Sequence, residues 1–185
     1  AGKYTEVAGS GHCIACRAGK FSFIVASSSQ DSCIDCVAGK YIDVAGSDEL
    51  SDCIDCVGGK YIGVTGSDEL ADCIVCVLGK YIDVSGSDEL ADCIDCIAGK
   101  FISLTGSDNE DDCIDCVVGK YSTVVGSFAA GDCTECVAGK FMEDEGSDAE
   151  SDCVLCGVGK YSTVVGSFVA GDCTDCVAGK HLSSE

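Results

Sequence analysis

Apolar positions along the chain come in short clusters separated by polar stretches of constant length. An aromatic residue opens each cluster (Phe21, Tyr41, Tyr61, Tyr81, Phe101, Tyr121, Phe141, Tyr161), and β-branched residues follow, as in Ile42 and Val44, Ile62 and Val64, Ile82 and Val84. That pattern fits a strand of three to five residues. Gly46-Ser47 and its copies end the cluster, and an acidic run such as Asp48-Glu49-Leu50-Ser51-Asp52 leads to the next cysteine. Serine ahead of two carboxylates has the chemistry of a helix N-cap and first turn. Only about one turn fits before Cys53, so the sequence predicts a turn there and not a helix.

The clusters recur every 20 residues. Cysteines stand at 13, 33, 53 and onward to 173, each followed by a second three residues later, and these nine Cys-x-x-Cys pairs account for all 18 cysteines. Gly-Lys follows each pair, from Gly19-Lys20 to Gly179-Lys180, and His181 takes the aromatic position in the last copy. A unit this short cannot bury enough apolar surface to fold alone, because chains below about 40 residues need disulfides, metal or neighbours. The predicted fold class is a small disulfide-rich repeat array: an elongated solenoid-like rod of nine ~20-residue units with short β-strands and turns and little helix. It runs as one continuous array over residues 1–185, each repeat touching mainly the next, so that stability approaches a sum of nearest-neighbour terms.

Composition sharpens this picture. With 18 cysteines, no proline and no tryptophan in 185 residues, the chain suits an oxidising compartment, since cytosolic reductants would keep so many thiols reduced; it is expected outside the cell or at the cell surface. No run of about 18 apolar residues could span a membrane, and the opening Ala1-Gly2-Lys3-Tyr4 has no signal-peptide character. A net charge of −21 argues against nucleic acid and toward cations or a basic protein or glycan partner.

Three chemistries use Cys-x-x-Cys at this spacing. In a disulfide chain the second cysteine of one pair bonds the first of the next: Cys16 to Cys33, Cys36 to Cys53, Cys56 to Cys73, Cys76 to Cys93, Cys96 to Cys113, Cys116 to Cys133, Cys136 to Cys153 and Cys156 to Cys173. Each bond would close a loop of about 16 residues, for which chain entropy gives about 3 kcal/mol. Four-cysteine zinc sites share the spacing, but nine pairs divide unevenly among them. Bonds inside each Cys-x-x-Cys would close tiny loops and stabilise little, and such bonds are more often redox-active.

The stretch Cys36-Val37-Ala38-Gly39-Lys40-Tyr41-Ile42, closing at Cys53, resembles the single-disulfide module of tumour-necrosis-factor receptors and is similar to the tandem ephrin-receptor-like cysteine-rich repeats of many surface proteins. The pattern covers almost the whole chain. The resemblance implies the first pairing, with Cys36 bonded to Cys53, and aromatics such as Tyr41 packed over the bridge. This chain lacks the family's proline after the second cysteine and the extra cysteines of the receptors' larger modules.

Under that pairing Cys13 and Cys176 have no partner inside the sequence and are expected to bond outside it. Gly2-Lys3-Tyr4 is a motif whose own cysteine would precede Ala1, and the loop opened by Gly179-Lys180 would close beyond Glu185, which predicts a fragment of a longer array or a protomer linked to its neighbours.

Catalysis has little to work with: the two histidines, His12 and His181, stand at opposite ends of the sequence, and a serine or cysteine nucleophile would lack a base. No enzyme and no cofactor are expected. Asp48, Glu49 and Asp52 are weak calcium candidates, set against the plainer reading of a solvated acidic face, and no Asp-x-Asp-x-Asp-Gly loop occurs. The serines read as turn formers and candidate O-glycan acceptors; the single asparagine, Asn109, is not in an N-glycosylation motif. Ten of the eleven basic residues are the lysines of Gly-Lys motifs, a row expected to pair with carboxylates of the same or neighbouring repeat. The nearly identical stretches at 121–128 and 161–168 suggest duplication, and their Phe128 and Phe168 are candidates for lateral contacts or for burial under the next repeat. The functional expectation is an extracellular structural protein, a segment of a disulfide-stapled fibre, filament or surface stalk that self-associates end to end or laterally; the alternative is a ligand-binding ectodomain of a receptor or adhesin.

Overall fold

The computed structural model describes residues 1–178. Gly179, Lys180 and His181, the last copy of the motif, lie outside the described residues. Nine two-stranded antiparallel sheets and eight three-residue 3-10 turns alternate along the described chain, a small disulfide-rich repeat array.

Each repeat is built the same way. In the second, strand Lys40–Tyr41 pairs with strand Ile54–Asp55, Lys40 opposite Asp55 and Tyr41 opposite Ile54. The strands are two residues long, shorter than the β-branched pattern predicts, and Ile42 and Val44 lie beyond them. The backbone of Ile42 is engaged elsewhere: its N–H donates to the Ser67 carbonyl of the following repeat at 3.1 Å, and its carbonyl accepts from Gly19 of the preceding repeat at 2.8 Å. Bonding between repeats replaces extension of the hairpin. It also sends Ile42 into the core, while Val44 stays exposed.

After Gly46, which has φ +86°, the acidic run winds into the 3-10 turn Leu50–Asp52. The turn is closed from its end. Asp52 Oδ2 accepts from the amides of Asp48 and Glu49, both at 3.1 Å, and the same role falls to Asp92 and Asp132. Such a carboxylate satisfies amides that a single turn cannot pair internally.

By compactness the chain divides into two units. One comprises Ala1–Val77, Tyr81–Ile94 and Thr105–Glu110; the other comprises Leu78–Lys80, Asp95–Leu104 and the residues from Asp111 on. Within each unit a repeat touches the next one and also the next but one, which corrects the expectation of mainly nearest-neighbour contact. In the first unit, Gly46 N–H donates to the Cys16 carbonyl at 2.8 Å, a contact between adjacent repeats. Gly19 approaches Gly66, two repeats on, so closely that a Cβ on Gly19 would run into the Gly66 carbonyl. In the second unit Gly119 stands in the same relation to Gly166. Glycine is required at such a position twice over, by a positive φ and by the approach of another backbone.

Candidate functional site

What recurs among the described residues is a disulfide in each repeat, with a lysine and an aromatic residue side by side in the strand that follows its first cysteine. Eight disulfides join Cys16–Cys33, Cys36–Cys53, Cys56–Cys73, Cys76–Cys93, Cys96–Cys113, Cys116–Cys133, Cys136–Cys153 and Cys156–Cys173, each across 17 positions and with Cα atoms 5.6–5.8 Å apart. Cys13 is an exposed free thiol, and Cys176 is a half-buried one.

Tyr4, Phe21, Tyr41, Tyr61 and Tyr121 pack on bridges, each on the bridge of the following repeat and not its own. Tyr4 clusters with Cys16 and Cys33, Phe21 with Cys36, Cys53 and Ile42, and Tyr41 with Cys56, Cys73 and Ile62. In the second unit Tyr121 packs against Cys136, Cys153 and Met142. The resemblance implied Tyr41 over the bridge closed at Cys53; the shift by one repeat arises because the parallel bridges between aromatic and serine, such as Tyr41 to Ser67, lay each aromatic against its successor. Sulfur and ring together make the core of these junctions.

In each hairpin the lysine beside the aromatic residue points to the opposite face of the strand. Lys20–Asp35, Lys40–Asp55, Lys80–Asp95, Lys100–Asp115, Lys120–Glu135 and Lys160–Asp175 are ion pairs of 2.6–3.3 Å between directly opposed strand residues. Three lysines face an apolar residue in place of an acid, the first being Lys3 opposite Ala15. Lys140, opposite Leu155, reaches Glu150 at 3.3 Å, and Lys60, opposite Val75, forms no ion pair. These partly exposed pairs contribute about 0–1 kcal/mol each.

The calcium candidates do not converge. Asp52 is turned toward backbone amides, Glu49 Oε2 accepts from Ser51 Oγ at 3.1 Å, and among the described residues no group of three His, Cys, Asp or Glu could hold a metal ion. What the sequence reading missed is the capping role of the aspartate before the closing cysteine, for which its fixed place after Gly-Ser was the available signal. Phe128 and Phe168 are half exposed, at 53% and 52%. His12 is exposed next to Cys13. Among the described residues no helix is long and apolar enough to cross a membrane.

Hairpins, bridges and junctions define the class: tandem cysteine-rich repeats with one disulfide each. Residues 2–53 match the family described as tyrosine-protein kinase ephrin type A/B receptor-like, and the same bridge pattern continues through the remaining repeats, so the chain is an array of cysteine-rich repeats similar to that family. No curated protein gives a significant match.

Proposed function

We propose that the chain is an extracellular structural protein, a segment of a disulfide-stapled fibre, filament or surface stalk, and that it performs no catalysis. The observation that carries this reading is that the eight bridges lie in series. From Cys16 the shortest covalent path crosses to Cys33, runs three residues to Cys36, crosses to Cys53, and continues so to Cys173. Three residues span about 10 Å when extended, and the bridge adds a Cα separation of 5.6–5.8 Å. An oxidised repeat can therefore lengthen to about 16 Å, whereas 20 residues without a bridge reach about 70 Å. Such a chain resists stretch even where its weak contacts give way, which suits mechanical reach better than turnover. An oxidising exterior fits bridges of this number.

Two measurements test the reading. Pulled by its ends, the oxidised array is expected to stop lengthening near 16 Å per repeat, and reductant is expected to release about 50 Å more per repeat; an oxidised chain that extends as far as the reduced one would sink the proposal. Antibody against the array is expected to label intact cells of the source, and signal only after permeabilisation would overturn the extracellular placement. A second reading, a ligand-binding ectodomain of a receptor or adhesin, draws support from the irregular first loop, where Phe23, Ile24 and Val25 are all exposed.

A further inference from the structure

We propose that the first repeat carries a carboxylate-binding cavity, formed around Arg17 and Gln30 with Lys3 at its edge, that takes an aspartate or glutamate side chain from a second copy of this chain. The cavity, of about 110 Å³, opens beside the Cys16–Cys33 bridge, and Tyr4, Ala15, Arg17, Lys20 and Gln30 line it with the two cysteines. All of these residues belong to one compact unit. The later repeats have other chemistry at the same places. Ala15 stands where Asp35, Asp55, Asp95, Asp115, Glu135 and Asp175 carry a carboxylate, Arg17 where Val37, Val57, Ile97 and Val117 are apolar, and Gln30 where Leu50, Leu70 and Leu90 are apolar. The acid is absent at Val75 and Leu155 as well, but Val77 and Leu90, or Gly157 and Ala170, then hold the other two positions and bring no cation or amide. Only the first repeat loses the carboxylate and gains two hydrogen-bond donors in its stead.

The result is a set of donors without an acceptor. Lys3 lies directly opposite Ala15, which places their Cβ atoms about 5 Å apart. Where an acid holds that position the lysine is paired, as Lys40 Nζ is with Asp55 Oδ1 at 2.6 Å. Among the described residues neither Lys3 nor Arg17 forms an ion pair, and the Gln30 carboxamide forms no hydrogen bond. Lys20, paired with Asp35 at 2.6 Å, adds a third positive charge to the wall. A carboxylate entering here takes the place that Asp55 fills within its own repeat, and a guanidinium suits it through paired N–H groups. Charge distribution selects its source. Residues 1–30 hold Lys3, Arg17 and Lys20 against one acid, Glu6, so that all but one of the 32 acids lie in the remainder of the chain. A second copy brings exposed carboxylates, such as those of Asp48 and Glu49, to a cationic cavity, an approach that electrostatic steering favours. The inference builds on the fibre reading by supplying a contact between chains, and the extension test of that reading does not depend on it.

The test is sedimentation velocity of the full oxidised chain with its free thiols removed by Cys13→Ser and Cys176→Ser, which leaves the eight bridges and excludes disulfides between chains. A concentration-dependent oligomer is expected at about 0.15 M salt and below about 0.1 mM protein. Ala15→Asp, which supplies the acid from within, and Arg17→Val, which restores the residue of the later repeats, are each expected to raise the dissociation constant at least about tenfold. Lys60→Ser removes a different unpaired lysine, opposite Val75, and is expected to leave it unchanged. An excess of a peptide with the sequence of residues 47–52 is expected to disperse the oligomer, whereas the same peptide with Asn and Gln for its Asp and Glu is not. Both cavity substitutions install residues that other repeats accept, and an unchanged disulfide map by non-reducing mass spectrometry establishes that the variants fold. A chain that stays monomeric, an oligomer that survives Ala15→Asp or Arg17→Val, or equal dispersal by the two peptides overturns the proposal. Dispersal by a sulfated glycan and not by the acidic peptide also overturns it, and assigns the cavity to sulfate.

Discussion

Ala26 occupies the place that glycine holds in the later repeats, and it is the one non-glycine residue with positive φ among those described, at 54°. The left-handed region costs an L-residue about 1–2 kcal/mol, part of which alanine returns by restricting the unfolded chain. Ala26→Gly is therefore expected to raise stability by about 1 kcal/mol, measured as the shift in a denaturant midpoint at constant slope; a loss of stability would show that the Ala26 methyl group makes contacts worth more than the strain. The equivalent Gly66 is not interchangeable in the other direction, because a Cβ there would meet the Asp35 carboxylate. Single-residue chemistry was readable where it is local: cysteines, the Gly-Lys-aromatic motif and the turn after Gly-Ser all sit within a few residues of their partners or of the break they cause. Asp52 was not. A carboxylate beside Asp48 and Glu49 looks the same in sequence whether it faces a cation or its own backbone, and only the winding of the chain aims Oδ2 at two amides.

At the scale of the repeat, the sequence hides which copy touches which, since a periodic chain reads the same after a shift by one period. The family resemblance implies Tyr41 over the Cys36–Cys53 bridge, whereas it lies on the next, a shift that the repeat itself does not register. The breaks in periodicity carry the missing information. A Cβ on Gly58 would lie 2.9 Å from the Cβ of Asp108, which relates positions 50 apart. Along the chain that relation pairs small with acidic, as in Ala18 with Asp68, Ala38 with Asp88, Gly58 with Asp108 and Ala98 with Asp148, and large with aromatic, as in Leu78 with Phe128 and Val118 with Phe168. If the relation seen at Gly58 and Asp108 holds there, Leu78 meets Phe128 and Val118 meets Phe168 within the chain. Phe128→Asp is expected to cost about 1 kcal/mol with Leu78 present and close to nothing after Leu78→Ala, a coupling of about 1 kcal/mol in a double-mutant cycle. Additive effects would show that the two side chains do not meet.

For the molecule as a whole, composition and spacing were enough to read the disulfide-rich repeat class, because cysteine density and a fixed period leave few other ways to stabilise so short a unit. The depth of coupling was not readable. Contacts from Gly19 to Gly66 and from Gly119 to Gly166 tie each repeat to its second neighbour, so opening one repeat disturbs junctions on both sides beyond those adjacent to it, and cooperativity exceeds that of a nearest-neighbour chain.

The serial bridges also bear on survival among proteases. Arg17 and every lysine from Lys20 to Lys160 fall inside a bridged loop, and none falls in the dipeptides between paired cysteines, from Ile14-Ala15 to Thr174-Asp175. Trypsin can therefore cut every loop while Cys16 through Cys173 stays one covalent body. A digest run without reductant is expected to keep a single large species that falls into short peptides once reductant is added, and fragmentation before reduction would contradict the pairing. Enzymes that cut after basic residues would scar such a chain many times without severing it.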